Sequence, residues 1–80
     1  MNDLDSRLKK CFAAAFPDLR ESTIPQATVE NTVSWDSMGG LTLASVIEEE
    51  FGVALSDDVM PELRSYARVR EEVAKHLGES

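Results

Sequence analysis

The sequence predicts an all-α fold of three main helices, one short helix and a long connecting loop. Three observations carry this. Apolar residues recur at three- and four-residue steps in three separate segments. Helix-capping and helix-stopping residues stand at the ends of those segments. No period-two alternation suggests a strand.

The first helix spans about Asp3 to Phe16. Leu4, Leu8, Cys11, Phe12 and Ala15 make one apolar stripe. Pro17 ends it, because the residue before a proline avoids helical geometry. Cys11 lies on the stripe and reads as a small buried thiol rather than a reactive one. Residues 17–35 then form a connection too long to be structureless in so small a domain. Leu19, Ile24, Val29, Val33 and Trp35 give it apolar anchors, so it is expected to pack.

The second helix spans Ser37 to Phe51. Asp36 is its N-cap, since a carboxylate there accepts the free N–H groups of the first turn. Gly52 is its C′ stop. At roughly 100° per residue, Gly40, Leu41, Leu43, Ala44, Ile47 and Phe51 share a core arc. Met38, Thr42, Ser45 and Glu49 take the outer arc, with Val46 beside them. Gly39 and Gly40 each cost about 1 kcal/mol in a helix relative to alanine. They read equally as tolerated low propensity or as a loosened first turn. Gly40, on the core arc, also permits close backbone approach.

From Ser56 to Leu63 a short irregular helix is expected, capped by Ser56 or Asp57, with Pro61 in its first turn or breaking it. The last helix spans Tyr66 to Leu77. Ser65 caps it, Tyr66, Val69, Val73 and Leu77 form its stripe, and Gly78 stops it.

The chain is 80 residues long, which allows one domain, residues 1–80, and a modest core. That leaves no room for a substrate pocket on a separate catalytic scaffold, which weighs against an enzyme. Fifteen acidic and eight basic residues give a net charge of -7, the wrong balance for nucleic acid or an anionic membrane surface. A basic protein surface is the natural partner. One cysteine forms no internal disulfide. Met1 to Lys10 lacks the apolar core of a signal peptide, and no apolar run is long enough to span a membrane. A reduced, cytoplasmic, monomeric protein is expected.

Trp35 to Leu43, WDSMGGLTL, carries the chemistry. Ser37, directly after the N-cap Asp36, sits at the first turn of a helix beside unpaired N–H groups. A phosphate attached to its hydroxyl would be favoured by ~0.3–1 kcal/mol. The Asp36 carboxylate would suit a divalent ion shared with a donor's phosphates. A serine nucleophile needs an adjacent, oriented base. The one histidine, His76, lies near the end of the last helix, where it reads as a cation at a helix C-terminus. No Cys/His cluster suggests a metal site, and the adjacent glycines lie within a helix, not a nucleotide loop.

The segment WDSMGGLTLASVIEEEFGVALSDD resembles the acyl carrier protein family. The likeness lies in Asp36-Ser37-Met38 opening a helix, in Leu41, Leu43 and Ile47, and in the Glu48-Glu49-Glu50-Phe51-Gly52 run that closes it. It is sharp from Val33 to Leu55 and rests on length and pattern elsewhere. The resemblance implies a four-helix bundle of acyl-carrier type. It implies that a phosphopantetheinyl transferase places a covalent 4′-phosphopantetheine arm on Ser37. The arm would carry an acyl or aminoacyl group as a thioester between a loading enzyme and downstream transferases or synthases. It also implies that Asp36, Glu48 and Glu49 meet basic docking surfaces, with Met38 and Val46 as apolar contacts. Gly39 and Thr42 stand where many fatty-acid carriers have acids, and Ser45 where a methionine is common. Trp35 resembles discrete carriers of specialised polyketide, nonribosomal peptide, aminoacyl or hydroxyacyl pathways. A carrier for fatty acid synthesis and an acidic helical adaptor that is never modified are the alternatives. The rings of Phe12, Phe16, Trp35, Phe51 and Tyr66 suggest a filled interior and hence a short or polar cargo.

Overall fold

The computed structural model describes residues 3–78. Helix α1 (Asp3–Ala15), α2 (Ser37–Phe51) and α3 (Tyr66–His76) are the main elements, with 3₁₀ helices at Glu21–Gln26 and Met60–Glu62. The fold is all-α: among the described residues there is no strand, only an isolated antiparallel bridge between Thr28 and Ser65.

Helix α1 stops where Pro17 requires, with Leu4, Leu8, Cys11 and Phe12 buried along the expected stripe. Helix α2 matches its expected bounds because both signals are local. Asp36 is extended, and its Oδ1 accepts the Gly39 N–H at 2.8 Å. Gly52 ends the helix in the left-handed region, at φ 66°. Ser65 caps α3 by accepting the Arg68 N–H at 3.2 Å.

The core gathers four rings from three parts of the chain. Phe12 lies 5.9 Å from Phe16, 5.4 Å from Trp35 and 5.2 Å from Tyr66, centroid to centroid. Phe16 and Trp35 are 5.2 Å apart. Such tilted and edge-on pairs add to the burial of the rings themselves. Polar ties join the helices around this cluster. Asp5 of α1 accepts from the Tyr66 hydroxyl at 2.9 Å and from Arg70 Nε at 2.6 Å, both on α3. Arg7 donates to the Glu50 carboxylate at 2.8 Å and stands 4.6 Å from the Phe51 ring centre, tying α1 to the end of α2.

The long connection packs, as expected, but with structure of its own. Its 3₁₀ helix buries Ile24 and includes Pro25. Residues 27–29 lie against the start of α3, the Val29 N–H donating to Arg64 O and the Tyr66 N–H to Ala27 O, both at 2.9 Å. Four expectations are corrected. Val33 is no anchor: it is 96% exposed. Leu41 leaves the core arc: it is 57% exposed, on the wall of an open cleft. Leu77 lies beyond the last turn of α3 and is exposed. The short helix covers only Met60–Glu62 and has no side-chain cap from Ser56 or Asp57. Pro61 in its first turn limits it.

Candidate functional site

Ser37 is the first residue of α2 and is exposed. It stands where the helix presents its unpaired N–H groups and positive end. Asp36, also exposed, spends one carboxylate oxygen on the Gly39 N–H, and its carbonyl accepts the Gly40 N–H at 2.8 Å. Among the described residues nothing hydrogen-bonds the Ser37 hydroxyl. His76, in the last turn of α3, contacts Glu72 at 3.2 Å. Ser37 thus presents at a helix N-terminus a hydroxyl that no side chain among the described residues hydrogen-bonds.

Each glycine after Ser37 faces a different neighbour. A Cβ on Gly39 would stand 2.1 Å from the Ser34 carbonyl oxygen and 3.0 Å from Phe16. Real contacts are never that close, so Gly39 is what lets the segment before the helix fold tightly onto its first turn. A Cβ on Gly40 would stand 3.7 Å from Trp35 Nε1, an ordinary contact. Close backbone approach was expected at Gly40; it occurs at Gly39 instead, which is neither merely tolerated nor part of a loosened turn.

Beside Ser37 opens a cleft of about 520 Å³ between the start of α2 and residues 60–64. Ser37, Asp36 and Arg64 give it polar edges, and Trp35, Leu41 and Met60 are among its apolar walls. Arg64 is held by Glu30 at 2.8 Å. A void of about 30 Å³ follows, sharing Trp35, Gly40, Met60 and Leu63 with the cleft.

The structure separates the expected docking residues. Met38 is 72% exposed, and Glu49 is exposed. Val46 is half-buried and packs against the core. Glu48 is half-buried, and its Oε2 accepts the Leu55 N–H at 2.8 Å, fastening the chain after α2. Sequence reasoning missed the cleft wall at Leu41 and Met60, because the cleft depends on where residues 60–64 settle. Cys11 is buried and its thiol is pushed up to about 11, mainly by that burial, in keeping with an inert core thiol.

No family model matches the chain. The chain is similar to the acyl carrier protein of Karelsulcia muelleri (strain GWSS): 26% identical over 77 residues, covering 96% of this chain and 93% of that protein. The likeness thus runs almost end to end, and it supports the acyl carrier family that the motif around Ser37 resembles.

Proposed function

We propose that this protein is a carrier, not an enzyme, and that Ser37 is its attachment point for 4′-phosphopantetheine. The observation that carries the reading is Ser37 itself: an exposed hydroxyl on the first residue of a capped helix, beside a cleft, hydrogen-bonded by no side chain among the described residues. The residues fit the group. The N-terminus of α2 favours a phosphate on Ser37, and the cleft offers apolar walls with polar edges to a chain bearing amides. When bound, the arm supplies a thiol that holds the cargo as a thioester. The protein's own residues then present and orient. Asp36 fixes the first turn through Gly39. Gly39 keeps the preceding segment against that turn. The phosphopantetheinyl transferase would supply the base that takes the proton from the Ser37 hydroxyl, which no side chain among the described residues hydrogen-bonds.

Partner enzymes with basic surfaces dock on the outer side of α2. Met38 and Glu49 are the best placed of the expected contacts, joined by the exposed Leu41 and Val33. Among the described residues no helix is long and apolar enough to cross a membrane. The reduced acid content of the outer face of α2 favours a specialised pathway over general fatty acid synthesis.

Incubation with coenzyme A and a broad-specificity phosphopantetheinyl transferase, followed by intact mass measurement, tests the reading. Gain of one phosphopantetheine supports the carrier. An unchanged mass under conditions that modify a known carrier would leave the unmodified helical adaptor in its place.

A further inference from the structure

The Ser37 cleft and the void behind it differ in size by more than tenfold, about 520 Å³ against about 30 Å³. The smaller space holds about two water-sized groups. Trp35, Gly40, Met60 and Leu63 border both, so they form the partition between them. The two sides of this partition are unlike. Met60 is a half-buried, flexible side chain on a single 3₁₀ turn. Trp35 is 5% exposed and wedged against Phe12 and Phe16. Swinging Met60 outward would open the void but nothing beyond it, because the fully buried Phe12, Phe16 and Ile47 fill the interior. Of the partition residues, Trp35 is the one whose ring meets the ring cluster of the interior, so a longer chain entering from the cleft would have to displace the indole.

The indole edge has a second property. Nε1 is the atom nearest to a Cβ built on Gly40, and Gly40 lines the cleft. The N–H has no hydrogen-bond partner among the described residues, and it is not among the enclosed, unpartnered polar atoms. It is a donor at the cleft wall.

We propose that Trp35 sets the cargo limit: its ring closes the interior to long chains, so the loaded arm keeps a short acyl group in the cleft, where the indole N–H donates to an oxygen of that arm or cargo. This rests on Ser37 as the attachment point and adds the class of cargo, a short acyl chain.

Trp35 is the only tryptophan, so its emission reads the cleft without any substitution. The arm on the wild-type protein is left unloaded or loaded with acyl groups from two to fourteen carbons, and Tm and emission are recorded for each. A sheltered chain binds the folded state and raises its Tm. The expected result is a Tm that stops rising within the short chains, because the void behind the cleft holds only about two water-sized groups. Emission should change on attachment or on first loading and not with later lengthening. A change with the unloaded arm assigns the acceptor to an arm amide; a change only on loading assigns it to the cargo. No change in either state overturns the hydrogen bond. A Tm that climbs through fourteen carbons overturns the size limit.

Two variants sharpen the test. Trp35→Leu opens the interior and should make Tm climb with chain length; a flat profile in this variant, if it folds, counts against Trp35 as the barrier. Gly40→Ala, which the contact distance accommodates, narrows the same wall and should bring the plateau to shorter chains. An unchanged plateau there also counts against the proposal. Failure to gain the arm removes the attachment reading and the cargo limit together. It is told apart by mass from a protein that gains the arm and shelters long chains.

Discussion

The flank of α2 that carries Gly39 faces Ser34 and Phe16, whereas the flank that carries Gly40 faces Trp35 and the cleft. On the first flank the chain is packed until no methyl group fits. On the second, space remains, and beyond it Leu41 stays exposed. Two identical neighbours in the sequence therefore do different work. One glycine lets the preceding segment close onto the turn that carries Ser37, the proposed attachment residue, and the other leaves the wall of the cleft open. Rigidity on one side and room on the other is what a presented side chain with a mobile attachment needs.

The largest effect should come from the packed flank. Gly39→Ala drives a Cβ into a backbone oxygen, which cannot swing away as a side-chain tip can. A cost of about 2–3 kcal/mol is expected, lowering Tm by roughly 10 °C or more in a domain this small. Denaturant unfolding would measure it. A variant as stable as the wild type would mean that the Ser34 segment is not held against the helix.

The alkaline limb of stability probes the buried core. The folded Cys11 thiol is pushed up to about 11, first by burial and then by Glu50. Between about pH 9 and 11 the unfolded thiol ionises while the folded one keeps its proton. Stability should therefore fall as pH rises through this window, by about 1 kcal/mol from pH 9 to 10. Burial also raises Tyr66, helped by its hydrogen bond to Asp5, so the loss continues above pH 10. Cys11→Ala should flatten the slope between pH 9 and 10 whatever it does to absolute stability. At the acid end the sign reverses. Asp5 is held low by Arg70 and Tyr66 against its burial, so its contribution is lost as pH falls below about 4.

The open flank should behave oppositely. Gly40→Ala adds a methyl group at ordinary contact distance and removes a helix-weakening glycine. It is expected to leave stability unchanged or to raise it by about 0.5–1 kcal/mol. Destabilisation comparable to Gly39→Ala would erase the contrast between the flanks.

The smallest effects separate two neighbouring acids. Glu48→Gln weakens the hold on the Leu55 N–H and should cost about 0.5–1 kcal/mol. Glu49→Lys should leave stability within about 0.5 kcal/mol of the wild type yet slow modification by the transferase at low salt. Equal modification rates at every ionic strength would show docking through Met38 and its apolar neighbours instead.

What was legible in the sequence was what short-range chemistry decides. Asp36 and Gly52 bracket α2 because cap and stop act within one turn. Pro17 ends α1 for the same reason. The place of Ser37 at the first turn of α2 followed from the cap. The misses are all long-range. The 3₁₀ helix at Glu21–Gln26 has no clear periodicity and contains Pro25, so its order comes from packing Ile24 into the core. Leu41 was placed in the core because a helical arc says which residues share a face, not how much of that face a partner covers. Glu48 was read as a surface acid because its partner, Leu55, lies beyond the end of the helix. The opposite fates of Gly39 and Gly40 depend on Ser34 and Trp35 folding back onto α2, which no local pattern encodes.

The central claim is that Ser37 is presented for modification and is the only residue that is. Wild type and Ser37→Ala, each treated with coenzyme A and a broad-specificity transferase, should melt alike before treatment because the hydroxyl has no partner to lose among the described residues. Intact mass should then show one added phosphopantetheine on the wild type and none on the variant. An arm on the alanine variant, or none on the wild type, would contradict the account.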